Sequence, residues 1–165
     1  MALCPLTESS LGDGIFPAPA FVEQNGRFGI GTDSNIRIDM AEELRTLEYA
    51  QRLDLQARNV LASGAGKSTG RSLFDTALAG GARSLHAPAG LEQGASLDVV
   101  SLAFDHAALV ERRGDDILDS WIFCGDHGVV ESVWRGGRKV VVNGRHVQRD
   151  AIMAHYRRAL RTLLS

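Results

Sequence analysis

The sequence predicts an α/β chain whose character changes partway along. Three observations carry that reading. Over the first eighty residues, short apolar runs alternate with stripes of helical period. Beyond Pro88 the pattern turns to period two and β-branched residues, and a last amphipathic stretch closes the chain. The composition, 165 residues with 44% hydrophobic and 23% charged, is that of an ordinary globular chain. Such a length can bury one real core or two small ones.

Taken in order, Ala2-Leu3-Cys4 is a buried-type strand end stopped by Pro5. Residues 8–19 carry Gly12, Asp13, Gly14, Pro17 and Pro19 and read as a loop. Phe21 and Val22 belong to a short helix that Asn25-Gly26 ends. Arg27-Phe28-Gly29-Ile30-Gly31 is a second short strand, closed by Thr32-Asp33-Ser34-Asn35. The clearest helix begins near Met40, with Asp39 as N-cap and Glu42 three residues on. Met40, Leu44, Leu47, Ala50, Leu53, Ala57 and Leu61 form its stripe. It fades into Ser63-Gly64-Ala65-Gly66, and a shorter helix over 72–79 closes at Gly80-Gly81.

The second half reads as strands. Residues 97–104 form one, and 129–134 with 138–142 form a hairpin around Gly136-Gly137, ending at Asn143-Gly144. The last helix starts with Asp150 as N-cap and runs through Ile152, Tyr156, Ala159, Leu160 and Leu163, with Arg157, Arg158 and Arg161 toward its negative end. The shift in pattern places a boundary near residue 82, dividing the chain into 1–82 and 83–165.

Charge and cysteine usage exclude several function classes. A formal net charge of −2 offers no basic footprint for nucleic acid or anionic lipid. No run reaches the ~18 apolar residues of a membrane span. The first ten residues lack the regions of a secretory signal. Cys4 and Cys124 stand far apart without CxxC spacing, against a disulfide framework or a cysteine-built zinc site. A reducing, cytoplasmic compartment is the expectation.

Candidate chemistry is sparse. Gly64-Ala65-Gly66-Lys67-Ser68-Thr69 copies the tail of a phosphate-binding loop, but Leu61 stands where that motif needs Gly, and a helix rather than a strand precedes it. It reads as a flexible helix–helix connection, and no nucleotide site is expected. The histidines, His86, His106, His127, His146 and His155, form none of the spacings that place two imidazoles on one metal. His127 reads as a turn residue, and His155 as a surface or interface residue. Ser9, Ser10 and Cys4 are nucleophiles by type, yet none has a candidate base nearby in sequence. Asp33 differs by its place at the C-terminal end of a short strand. In a (β/α)₈ barrel that end faces the active site. On pattern alone, a turn or cap role is the commoner fate of such an aspartate.

These strings together carry a resemblance. Gly29-Ile30-Gly31-Thr32-Asp33-Ser34 followed by Glu42-Glu43-Leu44-Arg45 resembles the last barrel strand and helix of the amidohydrolase superfamily. Leu3-Cys4-Pro5-Leu6-Thr7-Glu8, Leu11-Gly12-Asp13-Gly14-Ile15-Phe16-Pro17 and residues 42–52 are similar to the formimidoylglutamate deiminases within it. Ala77-Leu78-Ala79-Gly80-Gly81-Ala82 agrees. Asp98-Val99-Val100 and Val133-Trp134-Arg135-Gly136-Gly137-Arg138 resemble strands of the small β-sandwich of these enzymes.

The resemblance implies the C-terminal portion of a metal-dependent (β/α)₈ barrel, part of a composite β-sandwich and a terminal helix. It implies zinc-dependent hydrolysis of N-formimidoyl-L-glutamate to N-formyl-L-glutamate and ammonia, with Asp33 both zinc ligand and catalytic proton acceptor. The HxH pair, further histidines and glutamate of the family have no counterpart in this sequence. A catalytic zinc takes three protein ligands, and a full barrel ~250 residues. The chain is therefore expected to be a C-terminal fragment, inactive alone, with a small-molecule substrate in the complete enzyme. An N-terminal half or a second copy is the expected partner. Two other readings stay open: a deaminase of a ring amidine such as guanine or an adenosine derivative, and a non-catalytic complementation module.

Overall fold

The computed structural model describes residues 1–88 and 90–165. A two-residue strand β1 (Ala2–Leu3) opens the chain and pairs in parallel with β2 (Gly29–Ile30), Ala2 opposite Gly29 and Leu3 opposite Ile30. Two short helices, α1 (Pro5–Leu11) and α2 (Ala18–Glu23), make the crossover. The loop expected over 8–19 is thus too long by one helix. Pro5 stands in the first turn of α1, where its missing N–H costs nothing. The Glu8 carboxylate reaches back to the Cys4 amide at 2.8 Å, and Gly12 ends the helix in the left-handed region at φ +75°.

Helix α3 (Met40–Leu55) starts where the sequence places it. The Asp39 side chain accepts the Glu42 amide at 3.1 Å, so it is the N-cap. The end differs from expectation, because Gln56 turns left-handed and stops the helix six residues before Leu61. Leu61 is buried all the same, since Glu48 accepts the amides of Val60 and Leu61, both at 2.9 Å, and folds the segment back. Nor is the buried face the apolar stripe alone. Leu44 and Leu47 are inside together with Glu43, Glu48 and Gln51, while Met40 and Leu53 face solvent.

Helix α4 (Thr69–Leu85) runs straight through Gly80-Gly81, which the sequence reading takes as its end. Packing explains the difference. A Cβ on Gly80 would lie 1.9 Å from the Phe28 carbonyl oxygen, so the helix touches the backbone of β2 at the one place glycine allows. Beyond α4 a four-stranded antiparallel sheet forms in the order β3 (Val99–Leu102), β4 (Val130–Arg135), β5 (Arg138–Val142), β6 (Arg145–His146). The hairpin is as expected, and β3 is shorter than 97–104.

Helix α5 (Asp116–Cys124), between β3 and β4, has no counterpart in the sequence reading. It packs on α3 and α4, with Phe123 stacked on Tyr49 at 5.8 Å and Trp121 against Phe74 at 6.2 Å. The core joins all these pieces: Leu3, Phe28, Leu44, Leu73, Leu109, Ile122 and Val129 belong to one cluster. Helix α6 (Arg149–Leu164) buries no residue. Its N-cap is Gln148, because Asp150 lies inside the first turn and pairs with Arg145 instead. No helix among the described residues is long and apolar enough to cross a membrane.

Candidate functional site

Parallel pairing sets the C-terminal ends of β1 and β2 side by side, and the Gly31 amide donates to the Leu3 carbonyl at 3.0 Å. Asp33 lies three residues past β2, exposed, at φ +48°. Aspartate tolerates that left-handed conformation better than most residues. The turn around it is wrapped on Thr7, which is 4% exposed. The Thr7 hydroxyl donates to the Thr32 carbonyl at 2.8 Å, and its oxygen accepts the Ser34 amide at 3.3 Å and the Ser34 hydroxyl at 2.8 Å. Thr32 Oγ1 donates to Asn35 Oδ1 at 3.1 Å. Asp33 is exposed at the strand ends, and no salt bridge among the described residues involves it.

Behind this turn the first turn of α3 carries Glu43, fully buried. Its Oε2 accepts the Leu6 amide at 2.8 Å, and its Oε1 has no hydrogen-bond partner. Burial pushes the Glu43 carboxyl above its ordinary range, the negative charges of Glu8, Glu42 and Asp39 add to this, and the Leu6 N–H offsets part of it. Cys4 sits in the same acidic surroundings. Burial raises its thiol, followed by the charges of Asp33, Glu43 and Glu8, with only a hydrogen bond from the Gly31 backbone opposing. Cys4 therefore stays a thiol rather than the thiolate a nucleophile needs. Ser9 donates its hydroxyl to the Pro5 carbonyl at 2.7 Å, a local helix contact.

The histidines have structural partners. His127 lies in a 3₁₀ turn before β4, as its glycine-flanked setting suggests, and its Nδ1–H donates to Asp39 Oδ2 at 3.1 Å. That contact clasps the turn to the start of α3. His106 Nδ1 accepts the Ala108 amide at 3.2 Å, which leaves the proton on Nε2, 3.2 Å from Asp126 Oδ1. The Gly128 N–H, then His106 and His127, hold the Asp126 carboxyl below its usual range. His86 is the left-handed C-cap of α4, His146 Nδ1 accepts the Gln148 amide at 3.1 Å, and His155 is exposed on α6.

A metal would find one exposed carboxylate here. Among the described residues no three His, Cys, Asp or Glu side chains come together as a possible metal site. The described residues by themselves do not build a zinc centre. Sequence reasoning singles out Asp33, which the structure places exposed past β2, and passes over Thr7, Glu43 and the His127–Asp39 clasp. Thr7 and Leu6 lie 25 and 37 residues from their partners Thr32 and Glu43, so no local spacing signals them.

Comparison with known proteins gives this arrangement a lineage. The chain is 46% identical over 145 residues to the formimidoylglutamate deiminase of Pseudomonas aeruginosa, a match covering 87% of this chain and 32% of that protein. An amidohydrolase from Brucella melitensis superposes on 99% of the chain with a TM-score of 0.93 and 49% identity, using 36% of its own length. An adenosine deaminase from Xanthomonas campestris, solved with bound zinc, shares the fold at a TM-score of 0.77 and 23% identity, over 95% of this chain and 36% of its own. The chain thus spans about a third of the length of the relatives it matches. With a family model matching residues 1–140 and this degree of likeness in sequence and fold, the chain belongs to the amidohydrolase family.

Proposed function

We propose that this chain is the C-terminal third of a cytoplasmic, zinc-dependent formimidoylglutamate deiminase, with residues 1–82 as the last βα units of the barrel and 83–165 as part of the β-sandwich with its terminal helix. The observation that carries the reading is the 46% identity to a formimidoylglutamate deiminase over most of the chain. The exposed place of Asp33 just past the end of β2 supports it. Both cysteines are unpaired, in keeping with a reducing compartment.

In the complete enzyme Asp33 supplies one zinc ligand, and the others come from outside this chain. Zinc in such a site lowers the pKa of water toward ~7. The role of this chain's own carboxylate is proton transfer. Water oxygen bonds to the amidine carbon of N-formimidoyl-L-glutamate while Asp33 takes one water proton and passes it to the imino nitrogen; the remaining O–H proton then follows to the same nitrogen as its bond to carbon breaks and the formyl C=O forms. The leaving nitrogen departs as ammonia, and N-formyl-L-glutamate remains. The Thr7 wrap matters because it fixes the backbone on both sides of Asp33.

The test is ammonia release from N-formimidoyl-L-glutamate, with the chain alone and with the chain mixed with the other two-thirds of the deiminase made separately. The expected result is no activity alone, activity on mixing with zinc, and a loss of at least about 10²-fold with Asp33→Asn, the scale of a lost general base. Activity of the isolated chain, or full activity of the D33N mixture, overturns the proposal. A mixture that deaminates guanine or adenosine and ignores the linear amidine would instead support the ring-amidine reading.

A further inference from the structure

Toward the end of α3 away from Asp33, with Tyr49 and Arg52 about 14–18 Å along the helix axis from Met40, a cleft of about 380 Å³ opens between α3, the connection 56–68 and α5. Its size is that of a small-molecule site. Arg58 and Lys67, from the two ends of that connection, and Arg112, ahead of α5, line it. All three are exposed, and none takes part in a salt bridge among the described residues.

Like charges left to themselves drift apart, yet each of these segments is anchored. The buried Glu48 carboxylate holds the Val60 and Leu61 amides at 2.9 Å, which fixes the turn bearing Arg58. Lys67 donates its amide to the Gly64 carbonyl at 3.1 Å, next to Ser68, the N-cap of α4. The Arg112 amide donates to the carbonyl of Leu109 at 2.9 Å, and Leu109 is wholly buried. A fourth cation, Arg52, forms one wall. Glu48 neutralises it at 2.7 Å, and it lies over the rings of Tyr49 and Phe123. Two carboxylates line the cleft, Asp116 and Asp119, the latter oriented by the Gly70 amide at 2.7 Å, so Arg58, Lys67 and Arg112 leave the lining with an excess of positive charge.

We infer that this cleft binds a phosphorylated small molecule through a diphosphate or longer phosphate chain. Guanidinium groups match phosphate oxygens two at a time, and three cations lining one cleft exceed what a single carboxylate requires. The recognition differs from a phosphate-binding loop. The first-turn amides of Gly70 and Arg71 already donate to Asp119 and to the Ser68 hydroxyl, at 2.7 and 2.9 Å. Side chains, not backbone amides, hold the anion. This explains why the Gly66-Lys67-Ser68-Thr69 string fails as a nucleotide motif and still carries a useful lysine. The inference stands apart from the deiminase reading.

The probe is inorganic pyrophosphate titrated into the chain at low salt, followed by calorimetry and by ³¹P NMR, with citrate in parallel. Saturable binding is expected for pyrophosphate and much weaker binding for citrate. Lys67→Ala and Arg112→Ala should each weaken it about tenfold, the loss of a charge-assisted hydrogen bond. Asp116→Asn should tighten it, and Arg138→Ala, in the β4–β5 hairpin, should leave it unchanged. Circular dichroism checks that the variants keep their helix content. No saturation, indifference to K67A, R112A and D116N, or citrate binding as tight as pyrophosphate would overturn the inference.

Discussion

Glu43 is the residue whose energetics the surrounding sequence obscures. It stands in the first turn of α3, where a carboxylate favours the positive end of the helix dipole. The fold nevertheless buries it completely and leaves Oε1 without a partner. Its folded pKa is raised above the ordinary 4.5, chiefly by burial. The sign of the consequence follows from proton uptake: the folded chain holds this proton more tightly than the unfolded chain. The stability from this group is complete below pH 4.5 and is lost as pH rises through the folded value. Asp98 and Asp126, whose carboxyls lie below their ordinary 3.8, act in a separate and more acidic window. Glu43→Gln keeps an acceptor for the Leu6 amide and removes the titration. Denaturant unfolding of both proteins from pH 4.5 to 7.5 should show the wild type losing stability with rising pH and E43Q staying flatter. Equal slopes would mean that Glu43 is not the titrating group. Asp33 is the opposite case: it is legible because strand-end position and family likeness both mark it, whereas Glu43 reads as one more polar residue of a helix.

Elements show where sequence pattern succeeds and where tertiary contact overrides it. The start of α3 is written locally, in Asp39 and Glu42, and the structure keeps it. The hairpin of β4 and β5 is equally local, set by Gly136-Gly137 between β-branched runs. The end of α4 is not local at all. Gly80-Gly81 carries a strong break signal, but the reason for glycine lies on β2, some fifty residues earlier in the chain. A methyl group at position 80 would sit 1.9 Å from the Phe28 carbonyl oxygen, and helix backbone cannot yield as a flexible side chain can. Gly80→Ala is therefore expected to destabilise the chain by about 3 kcal/mol, as overpacking does, despite alanine's better helix propensity. The corresponding fall in thermal midpoint is roughly 6–12 °C for a chain of this size. A neutral or stabilising G80A would show that α4 does not press on β2. Helix α5 went unread because its apolar content, Ile117, Leu118, Trp121, Ile122 and Phe123, is dense for so short a helix and shows no clean period.

At the scale of the molecule, the interior is more unified than a division at residue 82 suggests, since Leu109, Trp121, Ile122 and Val129 pack in the same cluster as Leu3, Phe28 and Leu44. Leu44 and Leu47, 0% and 2% exposed, belong to this core, so the stripe of α3 is not a docking face. The surface that does test assembly is the two-stranded sheet. Among the described residues β1 and β2 pair only with each other, over two residues each, and each keeps an outer edge without a strand neighbour. A two-stranded sheet is marginal in water, and a barrel is the architecture that removes its edges. With residues 1–82 as the last βα units of a barrel, the rest of the enzyme must add a strand to both edges. Amide hydrogen exchange reads this directly, because opening free energy varies from edge to core. In the isolated chain, Leu3 and Ile30 are expected to exchange much faster than the buried turns of α3 around Leu44 and Leu47. On mixing with the separately made remainder of the deiminase, exchange at the two strands should slow at least tenfold, with little change in the β4–β5 hairpin. Protection confined to the exposed helix α6 would place the partner on the opposite kind of surface, a helical docking face, and would remove the barrel from the account of this chain's assembly.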